Sequence, residues 1–352
     1  MTNVRPDRNR PVLVTGGSGF AGAYIIRELL DHGYPVVNFD LADYRPESRF
    51  VIGAVDQVRF ERGSIDDWPR VLEVFLRHRP GSVIHAGGIM DIAFLDEHPT
   101  IALRTNVGGC VNLLEASRLL GEVARFVFLS TIAVIGRKLY EPIDANHPTV
   151  SASDGPLGAY GAAKAAGEAF CFTYTQSFGL DTRIVRPSAL YGFGMSWFAP
   201  NYIKNIVEPP LLGQPVHLAS GGLVPRDYTN AVDLAGVVAA VLEGPEDADR
   251  VVYGATGEPL RTAADVGAIV RELVPGAIVE IGEEWTEIDR LELPFRGRYD
   301  MRSTREQLGW EPRLADLRDG IADYVERFRA YLDAGQTPTP PPGLRGAPGL
   351  GS

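Results

Sequence analysis

From residue 11 to about residue 186, apolar runs of strand length alternate with longer stretches in which apolar residues recur every third or fourth position. The runs Val12–Val14, Val36–Phe39, Val58–Phe60, Ser82–His85, Phe126–Leu129 and Arg183–Val185 read as buried strands. Between them, Ile25 with Leu29, Ile26 with Leu30, and the series Leu103, Val107, Val111 and Leu114 each fall on one helix face. This alternation predicts an α/β fold, a doubly wound parallel sheet of the Rossmann kind with helices on both faces.

After about residue 187 the alternation loosens, and Pro209, Pro210, Gly213, Pro215, Gly221 and Gly222 punctuate the chain. Helical periods persist near 230–243, 262–274 and 315–331. We therefore expect a nucleotide-binding domain over 11–186 and a smaller mixed α/β substrate domain, a lid, over 187–332. The Pro- and Gly-rich stretch 333–352 has too few apolar residues to pack, and is expected to be disordered.

Composition narrows the function classes. At 352 residues, 45% hydrophobic and 22% charged, the chain can bury a substantial core. A net charge of -11, with Lys and Arg scattered, supplies no basic stripe for nucleic acid. Cys110 and Cys171 stand far apart, outside any CxxC or Cys/His spacing, so two buried thiols are expected rather than a metal site or a disulfide framework. No stretch approaches the roughly 18 apolar residues of a membrane span, and the amino terminus has no apolar signal region, so the expected location is the cytoplasm.

Directly after the first expected strand comes Thr15-Gly16-Gly17-Ser18-Gly19-Phe20-Ala21-Gly22, followed by a helical pattern. A dinucleotide's pyrophosphate needs a sharp turn, close backbone approach and a helix packed tightly on the sheet, so side chains obstruct at Gly16, Gly19 and Gly22. The helix N-terminus, with Phe20 and Ala21, then presents N–H groups to the phosphates. Asp40 ends the second strand, where a carboxylate accepts ribose hydroxyls and repels a 2′-phosphate, which favours NAD over NADP. Beyond the third strand, Ile65 and Asp66 are placed at the adenine, Asp66 either bonding the amino group or capping a helix.

Tyr160 and Lys164 stand four apart in a helical segment, on one face. A phenol is a poor base near neutral pH, but an adjacent ammonium favours phenolate. With three lysines in the chain, Lys138, Lys164 and Lys204, a chance Tyr-x-x-x-Lys is uncommon, although a surface pair on an alanine-rich helix is the alternative. Thr131, beyond the strand ending at Leu129, supplies a hydroxyl at the end of the sheet where ligands bind; Ser130 is its neighbouring alternative, and a strand-end cap is the other role for such a pair.

TGGSGFAG, HAGG at 85–88, TNVGG at 105–109, STIAVIG at 130–136 and YGAAK at 160–164 together resemble the extended short-chain dehydrogenase/reductases, the NAD-dependent epimerase/dehydratase family, over nearly the whole chain. The resemblance implies that Thr131, Tyr160 and Lys164 form the catalytic triad and that Lys164 also binds the nicotinamide ribose. It implies that Asn106 takes the family's helix asparagine position, that His85, Ala86 and Gly87 line the cofactor cleft, and that Arg186, Pro187 and Ser188 pass beside the nicotinamide carboxamide. Arg226-Asp227-Tyr228 with Asp233 resembles the sugar-nucleotide segment whose arginine meets a diphosphate. The run from Asp300 to Leu308-Gly309-Trp310 resembles a late packing element. The family's usual homodimer would use small residues such as Ala162, Ala166 and Ala169, for which packing within one chain is an equal account.

Two departures bear on the reaction. Ile132, Ala133 and Val134 follow Thr131 where dehydratases carry acidic residues, so water elimination is disfavoured. Ala189 stands where nucleotide-sugar enzymes commonly carry asparagine, which weakens the diphosphosugar reading. Two reactions therefore stay open: epimerisation of a sugar or nucleotide sugar, and net oxidation or reduction of a sugar, sugar acid or other hydroxy compound. A non-catalytic NAD-sensing module is the remote third. Met90, Met195, Trp197, Asn201 and Tyr202 are the local candidates for the substrate pocket, with core positions as the alternative.

Overall fold

The computed structural model describes residues 6–152, 154–196 and 203–339. Each expected strand forms and runs one or two residues further than its apolar run in most cases. The first half comprises β1 (Val12–Thr15), α1 (Phe20–Asp31), β2 (Val36–Asp40), α2 (Pro46–Ile52), β3 (Val58–Arg62), α3 (Trp68–His78) and β4 (Ser82–His85). It continues through α4 (Ile92–Glu97), α5 (Pro99–Ile101), a π-helical turn over Ala102–Gly108, α6 (Gly109–Leu120), β5 (Arg125–Leu129), α7 (Gly158–Phe178) and β6 (Thr182–Pro187). Thereafter come β7 (Ala189–Tyr191), α8 (Ile203–Leu211), β8 (Val216–Ser220), β9 (Tyr228–Asn230), α9 (Ala231–Glu243) and β10 (Val251–Gly254). The chain then forms α10 (Ala263–Leu273), β11 (Val279–Glu284), α11 (Glu287–Glu292), α12 (Arg302–Leu308) and α13 (Leu317–Asp333).

Seven parallel strands form the central sheet in the order β10-β6-β5-β4-β1-β2-β3. The order reverses between β1 and β4, and the crevice at their carboxyl ends is where a doubly wound sheet receives a ligand. Alternation along β1 divides the interior. Val12 and Val14 join Ile25 and Leu29 of α1 and Leu234 and Val238 of α9 on one face. Leu13 joins Val71 and Phe75 of α3, Leu113 of α6 and Tyr174 of α7 on the other.

Three features differ from the sequence reading. Leu103 is 65% exposed, whereas Val107 and Leu114 are buried; the wider π turn over Ala102–Gly108 breaks the 3.6-residue period on which the four-residue face rested. The sheet does not stop at residue 186, because α9 packs along α1 and β10 pairs with β6, Val251 opposite Ile184. The chain returns because α9, apolar around nearly its whole circumference, is stable only when covered on both sides. Finally, α13 runs to Asp333, and the backbone of Thr339 donates to Glu47 Oε1 at 3.0 Å, which ties residues 334–339 back to α2. The rest of the tail lies outside the described residues.

Beyond β6 lie two small parallel pairs: β8 with β11, packed against α8 and α10, and β7 with β9, packed against α9. Among the described residues no helix is long and apolar enough to cross a membrane.

Candidate active site

The turn from β1 into α1 is shaped by missing side chains. Gly16 has φ of +73°, and a Cβ there would stand 2.6 Å from Gly87 Cα. A Cβ on Gly22 would stand 2.1 Å from Gly16 O. The first turn of α1 follows Gly19 with no side-chain cap, and Phe20 and Ala21 are half-buried in it, so its leading N–H groups have no side-chain partner to displace. Asp40 reaches the same turn: Oδ2 accepts from Ser18 N–H at 3.0 Å and Oδ1 from Ala42 N–H at 3.1 Å. Each oxygen keeps acceptor capacity for a ribose hydroxyl. A cradle that any Cβ would fill, an uncapped helix and a carboxylate at the strand end fit a dinucleotide.

The second wall comes from β4. Ala86 and Gly87 run beside the glycine turn, Gly87 N–H donating to Thr15 Oγ1 at 3.1 Å. The His85 side chain does not line the cleft: it is buried, bonded through Nδ1 to Thr15 Oγ1 at 2.8 Å and packed 5.5 Å from the Phe128 ring. Burial lowers its pKa. Asn106 is also internal, accepting from Ile89 N–H at 2.8 Å and donating to Ile89 O at 2.9 Å, so it splints the loop after β4. Met90, just beyond, is 52% exposed. Asp66 is not a helix cap, since Asp67 caps α3 by accepting from Arg70 N–H. Asp66 instead accepts from Ser64 Oγ at 2.5 Å, Arg104 Nε at 3.1 Å and Thr105 Oγ1 at 3.4 Å. Ile65 is buried under Gly109 and its carbonyl accepts from Asn112 Nδ2.

Thr131, Tyr160 and Lys164 converge where β5 ends beside α7. The Thr131 hydroxyl stands near the Tyr160 phenol and lowers its pKa, and it accepts from Ala133 N–H at 3.2 Å. The start of α7 is fastened to the same loop, because Leu157 N–H donates to Ala133 O at 2.9 Å. One turn along, Lys164 is buried, donates from Nζ to Leu129 O at 2.7 Å and lies 6.0 Å from the Tyr160 ring centre. Burial pushes the Tyr160 phenol up to about 12, against the opposing pull of Thr131. Burial also brings Lys164 down to about 8, against Cys110, Glu168 and Cys171, which favour its charged form. The two cysteines are free and buried in the core beneath.

Ser130, the alternative hydroxyl, is turned away from this corner because consecutive strand residues face opposite sides. It is buried and donates to Glu168 Oε1 at 2.6 Å. Arg186 Nε reaches the same oxygen at 2.9 Å and Arg186 Nη2 reaches Oε2 at 2.7 Å. Arg186 is therefore committed to an internal ion pair, and of the segment placed beside the nicotinamide it is Pro187, ending β6, that closes the strand. Ser188 turns to Asp227 at 2.6 Å. Glu168 was not singled out in the sequence, although it extends the Tyr160, Lys164 spacing by another four residues on one helix face.

In the substrate half, Arg226 is buried next to Tyr228, with which its side chain bonds, and its backbone pairs with Arg261. Pro225 and Arg296 join Arg137, Lys138, Leu260, Leu293 and Pro294 around a concavity of about 460 Å³. Ala189 is half-buried opposite Tyr228. Met195 is 1% exposed and belongs to the core, so it is not a pocket residue; Trp197, Asn201 and Tyr202 lie outside the described residues. Trp310 packs on α9 at Gly236, where a Cβ would stand 2.8 Å from its Nε1, and Asp233 accepts from the N–H groups of Arg313 and Leu314.

Comparison with known proteins agrees with this geometry. Residues 12–254 match the model of the NAD dependent epimerase/dehydratase family. The chain is 32% identical to dTDP-glucose 4,6-dehydratase of Streptomyces griseus, over 91% of this chain and 94% of that protein. It is 29% identical to UDP-glucose 4-epimerase of Mycolicibacterium smegmatis, over 90% of this chain and 98% of that one. Among solved structures, the UDP-glucose 4-epimerase of Thermus thermophilus in complex with NAD superposes with a TM-score of 0.73 at 28% identity, covering 91% of this chain and 99% of that one. A glycine turn built for a dinucleotide, a Thr–Tyr–Lys corner beside it and a family match over most of the chain lead to one assignment: the chain belongs to the NAD-dependent epimerase/dehydratase family, and NAD is its cofactor.

Proposed function

We propose that this chain epimerises a secondary alcohol carbon of a sugar carried on a nucleotide diphosphate, as its relatives' names suggest for their own substrates. Gly16, Gly19, Phe20, Ala21, Gly22, Asp40 and Asp66 hold NAD, which supplies a hydride acceptor and donor. Thr131 holds the substrate oxygen and Tyr160 takes its proton. The phenol is a weak base in its half-buried site, and Lys164 supplies the counter-charge. Lys164 Nζ lies 6.0 Å from the Tyr160 ring centre, and a positive charge there favours phenolate.

The observation that carries the choice among reactions is the loop after Thr131. Ile132, Ala133 and Val134 offer no carboxylate to abstract a second proton, which elimination of water requires. That absence supports epimerisation even though a dehydratase is among the relatives. The cationic lining of the concavity beside Arg226 supports an anionic substrate portion. A second reading, net oxidation or reduction of a sugar or sugar acid, draws on Ala189, which offers no amide to a diphosphate. We also read the exposed Ala162, Ala169 and Phe170 of α7, with Leu103, as a homodimer face; sedimentation at monomer mass would remove that reading.

The deciding experiment releases nucleotide from denatured protein and then follows UDP-glucose and UDP-galactose interconversion without added NAD. Epimerisation requires co-purified NAD and turnover, with Tyr160→Phe slower by about a thousandfold at unchanged NAD content. Turnover that consumes added NAD stoichiometrically selects the second reading. Undiminished turnover in Tyr160→Phe removes both.

A further inference from the structure

We infer that Ser130, Glu168 and Arg186 form a buried clamp that positions Thr131 against Tyr160 and Lys164. The inference rests on the reading of those three as the reacting groups. Thr131 stands on a short turn with three internal supports: Ala133 N–H to Thr131 Oγ1, Val134 N–H to Thr131 O at 3.4 Å and Ile135 N–H to Ile132 O at 3.2 Å. These three fix the turn's shape, and Leu157 N–H to Ala133 O at 2.9 Å ties its middle to the start of α7.

The end of the turn that carries Thr131 is held against α7 one and two residues earlier. Lys164 Nζ draws Leu129 O toward α7, and Ser130 Oγ is held by Glu168 Oε1 one helical turn further on. Both anchors lie on the helix face that carries Tyr160, so β5 is pinned to the element bearing the base at two consecutive residues. Glu168 is itself immobilised: Arg186 grips both its oxygens from β6, and Arg186 Nη1 reaches Tyr253 Oη on β10 at 3.3 Å. Tyr253 Oη donates in turn to Asp144 O at 2.9 Å. A carboxylate with both oxygens taken and 3% exposure has no rotamer to escape to. Ser130 therefore inherits a fixed anchor, and Thr131 is the next residue.

Ser130 touches neither substrate nor cofactor in this scheme, so its removal should loosen the turn without weakening binding. In Ser130→Ala, amide hydrogen exchange at residues 132–135 should accelerate at least tenfold while α1 and β2 keep wild-type protection, and kcat for UDP-glucose epimerisation should fall about tenfold with KM for the sugar nucleotide unchanged. Glu168→Gln keeps an acceptor for Ser130 and should leave the local exchange nearer wild type; because it strands the buried Arg186 charge and can prevent folding, Ser130→Ala is the deciding variant. Exchange and kcat both within twofold of wild type would overturn the clamp. So would a raised KM at constant kcat, which marks a substrate contact, or a uniform rise in exchange across the fold, which marks plain destabilisation. Tyr160→Phe measured alongside keeps the two ideas separate: full turnover there removes the catalytic reading, while an inactive Tyr160→Phe with an unaffected Ser130→Ala removes only the clamp.

Discussion

Along the β1–α1 turn the protein works by leaving atoms out, whereas at the ends of β5 and α7 it works by holding atoms in place. In the first region the demanding positions are Gly16 and Gly22, where a single added carbon would collide with backbone, of Ala86 and Gly87 in one case and of Gly16 and Gly17 in the other. In the second they are Thr131, Tyr160 and Lys164, with Thr131 bonded to Ala133 N–H, Lys164 to Leu129 O, and Ser130, Glu168 and Arg186 fixing the neighbours. The difference teaches that the two regions fail differently. The cofactor site is injured by addition, and its loss shows as binding. The proposed catalytic corner is injured by deletion, and its loss should show as rate.

Lys164→Met gives the largest contrast, because it trades rate for stability. Turnover should drop by about a thousandfold, since the phenol loses its counter-charge. The folded protein should nevertheless gain about 1–2 kcal/mol at pH 7, because Lys164 is an ammonium whose burial lowers its pKa from 10.5 to about 8, and the gain is offset in part by the hydrogen bond lost at Leu129 O. The sign follows from linkage. Below pH 8 the wild type holds the charge buried in the folded state. Between about pH 8 and 10.5 the folded protein sheds the proton first, the unfolded chain binds more protons, and wild-type stability rises with pH. The variant's advantage in urea midpoint, measured without NAD, should therefore be greatest at pH 7 and shrink by pH 10. An advantage that is absent at pH 7, or equal at both, contradicts a buried charge at this position.

Gly22→Ala tests the other region. Its Cβ would lie 2.1 Å from Gly16 O and 2.6 Å from Gly17 Cα, and neither is the end of a flexible side chain. The turn must open, which should weaken NAD binding about a hundredfold and destabilise the fold by about 2 kcal/mol. At saturating NAD, kcat should stay within a few-fold of wild type. Calorimetric titration with NAD and steady-state kinetics at high NAD separate the two quantities, and a loss of kcat equal to the loss of affinity would erase the distinction between the regions.

The same contrast explains what the sequence reveals. Glycines that must lack side chains, and a Tyr and Lys four apart on one helix, are local requirements and appear as local patterns. Glu168 repeats that four-residue step and was legible in principle, but its importance comes from Arg186 on β6, which no spacing encodes. The π turn at Ala102–Gly108 misplaced Leu103 because periodicity assumes one helix type throughout. The boundary at residue 186 missed β10 because a sheet is completed by pairing across the chain, and Val251 meets Ile184 only in three dimensions. Met90 and Met195 looked alike as apolar residues after strands, yet one is exposed and the other is core, a difference set wholly by tertiary packing.

Asp40 lies between the two modes, and gives the smallest effect expected. It is a side chain, yet it serves the backbone of the glycine turn, accepting from Ser18 N–H and Ala42 N–H, besides the role at the ribose proposed for it. Asp40→Ala removes the charge that repels a 2′-phosphate and two charge-assisted acceptors at once. The preference for NAD over NADP should fall by about ten- to thirtyfold, mostly through weaker NAD binding, for a loss of roughly 1.5–2 kcal/mol. Asp40→Asn divides the contributions, because one amide oxygen can still accept from Ser18 while the negative charge is gone. If charge repulsion sets the preference, Asn should gain NADP binding with little loss of NAD. If the carboxylate acts mainly by holding the turn, Asn should resemble wild type for both nucleotides and Ala should lose affinity for both alike. Competitive titration of NAD and NADP against the two variants distinguishes these outcomes, and an unchanged ratio in Asp40→Ala would transfer the reading of the ribose to another residue.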